Sequence, residues 1–371
     1  MILKTETRNS GNSILVSDES VQDSLRRILK HLLITGQVDS VFALRRTKQE
    51  GRFCYSLISD YELIDEVLPF YPVMPVQGAK ALSELTTTET LQKPVAALLR
   101  PCEIRAFVEN TKRSQGSLDN LFIISCTCPG VIPSSRLLMD DRETVLTEHS
   151  ENIRNACRAC TEFVPEAYAD MTVVIASDTT PENCRIFLHT EKAGIIADGL
   201  SSFTPEAGVP LKETVADLLK VRQLNRENLL AETPAVKDGL DSLINLFSTC
   251  INCRGCREAC PLCHCVLCDY ETARTQHSPE LIRAEAKRRG AIRVPSGTIQ
   301  FQLGRLMHIS PSCVSCGQCS DVCPVDIPVS DIFTRAAHLV QSALDYIPGK
   351  SLDDDPPMST YIEHELQYIT D

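Results

Sequence analysis

Residues 250–261 read CINCRGCREACP, and residues 313–324 read CVSCGQCSDVCP. The two stretches share one cysteine spacing, with steps of 3, 3 and 4 residues, and each ends in proline. The chain of 371 residues contains 18 cysteines, and 11 of them lie between residues 250 and 323. This repeat therefore decides how the C-terminal part of the chain is organised, and we place a domain boundary near residue 246.

The repeated spacing is the one that bacterial ferredoxins use to bind two 4Fe-4S clusters. In that pattern three close thiolates bind one cluster, and the fourth cysteine of the motif reaches the other cluster. One cluster is therefore predicted to be bound by Cys250, Cys253, Cys256 and Cys323. The second is predicted to be bound by Cys313, Cys316, Cys319 and Cys260. The alternative is a pair of structural zinc sites, which usually consist of two separated Cys-x-x-Cys pairs.

Residues 261–268, PLCHCVLC, add three thiols that an ordinary dicluster ferredoxin does not need: Cys263, Cys265 and Cys268. One interpretation is a further cluster completed by a distant cysteine, for which Cys128 is the candidate if Cys126 binds a cluster of the first half of the chain. The other is a set of spare ligands that replace part of the standard set. His264 is either a ligand itself or a neighbour that hydrogen-bonds to sulfur.

The 44 residues between Cys268 and Cys313 are too many for a minimal ferredoxin turn. They contain the segments SPELIRAEAKRRG and IQFQLGRLMHI, whose sequences are typical of helices. We therefore expect a mainly helical dicluster domain over residues 246–345, followed by a C-terminal tail over residues 346–371. A basic group within this domain forms either a solvated helix face or a dock for an acidic partner. It consists of Arg283, Lys287, Arg288, Arg289 and Arg293.

The first half of the chain, residues 1–245, is predicted to be an α/β domain. Short runs rich in β-branched residues indicate strands, and helical sequence lies between several of them. The runs are VDSVFAL (38–44), PVAALL (94–99), NLFIIS (120–125), MTVVIAS (171–177) and CRIFLHT (184–190). A polar, helix-rich stretch over about residues 211–245 separates this domain from the cysteine-rich one.

Cysteines of the first half are predicted to meet at one edge of that sheet. Cys102 follows the run at 94–99, and Cys126 follows the run at 120–125. Because the carboxyl ends of parallel strands meet at one edge, these two cysteines should converge there. Cys157 and Cys160 then complete a set of four with Cys102 and one of Cys126 or Cys128, and we predict a further cluster at this place. The isolated Cys54 and Cys184 are interpreted as packing residues.

Composition excludes several classes of function. Lys and Arg number 37 and Asp and Glu 49, so the net charge is −12, which opposes binding to nucleic acid and to anionic membranes. No apolar run approaches the roughly 18 residues that a spanning helix needs. The N-terminal sequence MILKTETRNSGNS lacks the basic and apolar regions of a signal peptide, so we expect a cytoplasmic protein whose thiols are metal ligands and not disulfides. The G-x-G-x-x-G and P-loop patterns of nucleotide sites are absent from the sequence.

Several segments resemble the beta subunits of the deazaflavin-dependent (coenzyme F-420) formate dehydrogenases. The resemblance is strongest in FSTCINCRGCREACPLCHCVLC, in GRLMHISPSCVSCGQCSDVCPVDIP and in DDDPPMS. The first half is similar to the wider family of F-420-reducing hydrogenase and formate dehydrogenase beta subunits. There the segments are VDSVFALRR, RPCEIRAFVENTKR, ISCTCPG and CRACTEFVPEAYAD.

The resemblance implies iron–sulfur clusters and an FAD that exchanges hydride with the deazaflavin, while a separate alpha subunit oxidises formate or hydrogen. It also implies that Cys102, Cys126, Cys157 and Cys160 bind the first-domain cluster. Members of the family have glycine-rich segments around the flavin, since glycine permits close approach of the backbone to a ligand. Here Gln22 and Asp23 stand in place of a glycine pair, and the residues between Asp170 and Gly194 contain no glycine.

The sequence therefore predicts an electron-transfer subunit of a cytoplasmic, anaerobic-type oxidoreductase complex. It should relay electrons between a catalytic partner, of the formate dehydrogenase alpha-subunit or hydrogenase type, and other electron-transfer subunits, with heterodisulfide reductase modules as one such acceptor. The alternative is a flavin-containing beta subunit that itself oxidises or reduces the deazaflavin in a remodelled FAD pocket. A zinc-stabilised interaction scaffold is a third interpretation.

Overall fold

The protein is described here as a computed structural model. It describes residues 12–16, 20–49, 52–139, 152–176, 184–200, 203–207, 210–233, 239–266, 268–271 and 277–357. Of the predicted strand run at 171–177, residue 177 lies outside these ranges, as does most of the C-terminal tail that begins at residue 346. Within the described residues no helix is both long and apolar enough to cross a membrane.

The strands in chain order are β1 Asn12–Val16, β2 Ser40–Arg46, β3 Phe53–Ile58, β4 Val95–Leu98, β5 Leu121–Cys126, β6 Met171–Val173, β7 Cys184–Leu188 and β8 Phe203–Ala207. The helices of the sheet-bearing half are α1 Val21–Ile34, α2 Gly78–Thr86, α3 Pro101–Lys112, α4 Ser134–Met139, α5 Asn155–Arg158, α6 Glu191–Asp198, α7 Leu211–Thr214 and α8 Ala216–Glu232. Those that follow are α9 Gly239–Phe247, α10 Gly255–Glu258, α11 Pro279–Arg289, α12 Thr298–Ile309, α13 Gln318–Asp321 and α14 Val329–Ala343. The protein is thus a mixed α/β sheet region followed by a helical region.

One sheet contains all eight strands in the order β3-β2-β4-β5-β6-β7-β1-β8. The neighbours β2, β4, β5 and β6 pair in parallel, with Leu98 opposite Ile124 and Cys126 opposite Val173. The strands at both edges pair antiparallel. The carboxyl ends of β4 and β5 therefore lie side by side, which is the arrangement that brings the residues after them together.

The sheet separates two apolar clusters, because side chains alternate between the faces of a strand. On β5, Phe122 and Ile124 belong to one cluster, which α1 covers, and Ile123 belongs to the other. This other cluster also contains Phe107 of α3 and buried side chains of the helical region, among them Phe333. The sheet region and the helical region therefore share a core, and the sequence boundary near residue 246 is not a gap in packing.

All five predicted strand runs contain strands, and the two predicted helices are present as α11 and α12. The predicted helix-rich stretch before the boundary contains α7, α8 and α9. Three strands were not predicted, namely β1, β3 and β8, and each pairs antiparallel at or near an edge of the sheet. Antiparallel strands near an edge need not be buried on both faces, so they give a weaker sequence signal than central parallel strands.

Candidate iron–sulfur sites

The internal repeat is a repeat of backbone conformation as well as of sequence. In residues 250–261, the first ferredoxin motif, Asn252 and Arg254 adopt the left-handed conformation, with φ of 57° and 62°. In residues 313–324, the second ferredoxin motif, Ser315 and Gly317 occupy the equivalent positions, with φ of 55° and 81°. A four-residue helix follows in each case, α10 and α13. Left-handed residues are uncommon outside glycine, so their recurrence marks two loops of the same build.

These loops turn backbone N–H groups toward cysteine sulfur. The amide of Asn252 donates to Cys250 Sγ at 3.4 Å, and Ile327 donates to Cys323 Sγ at the same distance. Burial raises the pKa of the Cys313 thiol, and a hydrogen bond from the amide of Ser315 opposes that shift. Amide donors to thiolate sulfur are the outer contacts that support an iron–sulfur cluster and adjust its potential. The residues present therefore fit the implied clusters.

The second ferredoxin motif encloses a small cavity between its cysteines and Cys260. The cysteines that line it are Cys260, Cys313, Cys316 and Cys319. These are the four ligands that the sequence predicted for the second cluster. Burial raises the pKa of Cys316 to about 12. A metal centre that binds such thiols has to deprotonate them, as coordination does.

The first ferredoxin motif lies against α12. Gln302 Nε2 is 3.7 Å from Cys256 Sγ and 3.9 Å from Cys250 Sγ, and Arg305 Nη1 donates to Cys256 Sγ at 3.0 Å. Gly255 lies beside the residue that precedes Cys323, because a Cβ at Gly255 would be 3.4 Å from the Val322 carbonyl oxygen. The end of the second motif thus returns to the first, as cross-ligation by Cys323 requires.

A third group of thiols forms at the carboxyl ends of β4 and β5. Burial raises the pKa of the Cys102 thiol, and the charges of Glu103, Cys316, Cys128 and Cys160 raise it further. Burial also raises the pKa of Cys157 to about 11, where Cys128 and Cys160 act in the same direction. We call this set, Cys102, Cys128, Cys157 and Cys160, the N-terminal cysteine site.

Cys126 and Cys128 differ in their surroundings. Cys126 ends β5, is fully buried and has a pKa raised by burial. A hydrogen bond from Cys126 lowers the pKa of Cys128, and the positive charges of Arg100 and Arg222 act in the same direction. The charge of Cys128 acts on Cys102, Cys157 and Cys160, and the residue two positions after it, Gly130, packs against Cys157, since a Cβ at Gly130 would lie 3.2 Å from Cys157 Cβ.

The remaining predicted thiols lie apart from the N-terminal cysteine site. Cys263 is hydrogen-bonded to Cys260, and this bond together with burial raises the pKa of Cys263. Cys265 is exposed. The charge of Cys268 acts on Arg257. The structure thus groups Cys128 with the N-terminal cysteines and not with these three. Burial lowers the pKa of His264. Among the described residues no group of three or more His, Cys, Asp or Glu side chains converges on a single ion, whereas a cubane cluster spaces its thiolates more widely.

Gln22 and Asp23, which stand where the family has glycine, have local roles in α1. Gln22 and Asp23 lie in the first turn of α1, where Gln22 Nε2 donates to the Pro69 carbonyl oxygen at 2.7 Å. Asp23 pairs with Arg26 at 2.9 Å. Cys54 is half-buried on β3 with its sulfur 3.5 Å from Ser56 Oγ. The side chain of Cys184 lies outside the described residues.

Buried cationic and amide side chains around the thiols were missed by the sequence reasoning. The principal ones are Arg100, Arg154, Arg222, Gln302 and Arg305, each at most 5% exposed. Only Arg100 had a sequence signal, since it precedes the proline at the start of α3 directly after a strand. The others act through contacts with residues distant in the chain, for which spacing carries no information.

Residues 246–327 match the family described as the 4Fe-4S dicluster domain. With the two repeated loops and their cysteines, this match defines the class, an iron–sulfur protein with a dicluster domain.

Among curated relatives, the F420-dependent formate dehydrogenase subunit beta of Methanocaldococcus jannaschii is 26% identical over 366 residues, which cover 87% of this chain and 90% of the relative. The F420-dependent formate dehydrogenase 1 subunit beta of Methanococcus maripaludis is 26% identical over 378 residues, which cover 89% and 90%. The chain is a homologue of these beta subunits, which confirms the resemblance seen in the sequence.

A solved structure is also similar in part. One chain of the xenon-derivatised F420-reducing NiFe hydrogenase complex from Methanosarcina barkeri matches with a TM-score of 0.43 and 14% identity. The match covers 61% of this chain and 92% of that chain.

Proposed function

We propose that this protein is the iron–sulfur electron-transfer subunit of a multi-subunit oxidoreductase complex of the formate dehydrogenase or hydrogenase type. Its clusters, when bound, accept and return single electrons. The first is held by Cys250, Cys253, Cys256 and Cys323, and the second by Cys313, Cys316, Cys319 and Cys260. A third is held by Cys102, Cys128, Cys157 and Cys160. The remaining thiols are not ligands of these three clusters: they are Cys126, Cys263, Cys265 and Cys268. Iron analysis distinguishes this arrangement from one with a fourth cluster.

The observation that carries the proposal is that neighbouring cysteine sets share buried arginine side chains. Arg305 donates to Cys256 Sγ of the first motif and also lines the cavity of the second motif with Cys316 and Cys319. Arg154 donates to the Cys316 carbonyl oxygen of the second motif, and its own carbonyl oxygen accepts a hydrogen bond from the amide of Cys157 in the N-terminal cysteine site. The sets therefore form one continuous series across the protein and not three separate sites. A continuous series suits the transfer of electrons from one partner to another.

The proposal also assigns a role to each part of the chain. Residues 1–245 serve as a domain of the hydrogenase and dehydrogenase beta-subunit type, residues 246–345 as the helical dicluster domain, and residues 346–371 as a tail. The partners are a catalytic subunit and further electron-transfer subunits, and the setting is the cytoplasm. Nucleic acid is not a partner. The relay is favoured over a flavin-bearing enzyme because Gln22 and Asp23 are engaged in the first turn of a helix, where the family has glycine.

The test is analysis of the anaerobically purified full chain for iron, acid-labile sulfide and flavin, together with assays using formate, hydrogen and the deazaflavin coenzyme. We expect iron and sulfide, no turnover by the chain alone, and dye reduction once a catalytic subunit is added. Stoichiometric FAD, with deazaflavin-dependent dye reduction by the lone chain, would establish the flavin alternative. Zinc in place of iron, without acid-labile sulfide, would exclude electron transfer and establish the zinc-stabilised interaction scaffold.

A further inference from the structure

Arg154 lies where the N-terminal cysteine site meets the second ferredoxin motif. It directly precedes α5, and its carbonyl oxygen accepts a hydrogen bond from the amide of Cys157 at 3.0 Å. Its side chain extends toward the other site, where Nη1 donates to the Cys316 carbonyl oxygen at 3.0 Å. Nη2 forms an ion pair with Asp321 at 3.2 Å. One residue thus contacts cysteine-bearing segments of both sites.

The contact is closely packed and buried. The side chains of Arg154 and Asp321 are 5% and 3% exposed. A Cβ at Gly317 would lie 2.7 Å from Arg154 Cδ and 2.8 Å from Ala156 Cβ. The loop that contains Gly317 therefore lies so close to α5 that a residue with a side chain would not fit at this position. Gly317 also has φ of 81°, which favours glycine independently.

We propose that Arg154 is a positioning residue that fixes the second ferredoxin motif against the N-terminal cysteine site and so sets the separation between the two cysteine sets. The inference rests on the proposed function, because the separation matters only if electrons cross here. A planar guanidinium can serve two partners at a fixed angle, here the Cys316 carbonyl oxygen through a hydrogen bond and the Asp321 carboxylate through an ion pair. The Asp321 carboxylate directs the fork, and the bond to the Cys316 carbonyl fixes the loop between Cys316 and Cys319.

A role through charge alone would make a different prediction. Lysine keeps the positive charge but presents a single ammonium, which lacks the fork that reaches both acceptors. If charge were the whole role, R154K would behave as the unaltered protein does. If position is the role, R154K should resemble R154Q.

The experiment compares R154Q, R154K, D321N and G317A in the anaerobically purified full chain. R45Q is the matched control, because Arg45 pairs with Glu66 at 2.6 Å on β2, in a partly exposed setting. Hydrogen exchange by mass spectrometry reports on the amides of residues 313–319, and EPR of the fully reduced protein reports on magnetic coupling between neighbouring clusters. Iron and sulfide analysis accompanies both measurements.

We expect R154Q and R154K to lose exchange protection in residues 313–319 and to lose coupling, while iron and sulfide stay at the level of R45Q. G317A, which alters the loop itself, should also lose protection and coupling. D321N should lose protection to a smaller extent, since the bond to the Cys316 carbonyl remains. Unchanged protection and coupling in both R154Q and G317A would overturn the inference. G317A and D321N keep the test decisive if R154Q does not fold. If the unaltered protein has no cluster at the N-terminal cysteine site, the third cluster of the proposed function is excluded. The hydrogen-exchange measurement still tests whether Arg154 positions residues 313–319.

Discussion

Arg305 places a buried positive charge between the two ferredoxin motifs. Its Nη1 donates to Cys256 Sγ and its Nη2 to the Cys256 carbonyl oxygen, both at 3.0 Å. Its charge also acts on Cys260, Cys263 and Cys319. Donors and positive charge at the sulfurs stabilise the more negative, reduced state of a cluster.

Replacing Arg305 by Met should therefore lower the reduction potential at the first ferredoxin motif. A charge-assisted hydrogen bond that favours the reduced state by about 1.4 kcal/mol corresponds to about 60 mV for one electron. An EPR-monitored redox titration measures the shift. R288M is the control, since Arg288 is exposed on α11 and pairs with Glu285. Equal potentials in R305M and R288M would show that Arg305 has no part in setting the potential.

Cys260 provides a test of cross-ligation between the motifs. It belongs by sequence to the first motif but lines the cavity of the second. Changing Cys260 to Ala should remove about four irons per chain and the EPR signal of the second-motif cluster. Changing Cys54 to Ala, outside all three cysteine sets, should leave the iron content intact. Loss of the first-motif signal alone in C260A would contradict the assignment.

At this scale, spacing predicted the residues whose partners lie within a few positions. It gave the three close cysteines of each motif, because their separation is fixed by the local loop. It did not give Arg154, whose contact with Cys316 spans 162 positions and arises only from how two regions pack. It left Cys126 and Cys128 undecided as well, since the two thiols are hydrogen-bonded to each other and their surroundings include Arg100 and Arg222, which are distant in sequence.

Helix α3 joins the sheet to the segment near the C-terminus through the carboxylate of Glu109. Tyr346 Oη donates to it at 2.5 Å and the amide of Gly349 at 2.8 Å, and Lys112 and Arg113 pair with it at 3.2 and 2.7 Å. Burial by itself would raise the pKa of Glu109, but the hydrogen bonds from Tyr346 and Arg113 lower it below its ordinary value. The carboxylate is thus held in its charged form at neutral pH.

Substituting Glu109 by Ala should destabilise the protein by about 3–5 kcal/mol, because it leaves the buried ammonium of Lys112 without a counter-charge. Thermal unfolding followed by circular dichroism under anaerobic conditions measures the change. Glu66 pairs with Arg45 in a half-exposed setting, so E66A should cost about 0–1 kcal/mol. Comparable losses in E109A and E66A would mean that this carboxylate does not hold the two segments together.

Among the elements, the central strands were predictable and the outer ones were not. Parallel strands such as β4 and β5 are buried on both faces, so VAAL and LFIISC are continuous apolar runs. By contrast β8, FTPEA, contains proline and glutamate and pairs only with β1. Its sequence lacks both an apolar run and a clear alternation, and tertiary pairing decides its conformation.

For the whole molecule, three cysteine sets predict about 12 irons per chain, four for each cluster. C128A should reduce this number by about four and C126A should not, because the charge of Cys128 acts on Cys102, Cys157 and Cys160. Iron and sulfide analysis of the two variants checks this directly. About 8 irons in the unaltered protein would exclude the N-terminal cluster, and about 16 would indicate a fourth cluster with ligands among Cys263, Cys265 and Cys268.

The core that the sheet region shares with the helical region also constrains how the chain is made. During synthesis the N-terminal part leaves the ribosome first, yet one face of its sheet is completed only by side chains such as Phe301 and Phe333. Until those residues emerge, the cluster on that face is only partly formed, by side chains such as Phe107 of α3. Contacts so distant in sequence form slowly, because the long intervening loop has to close first. We therefore expect maturation to await release of the finished chain, and a nascent chain that stops before α12 to be a target for chaperones and proteases.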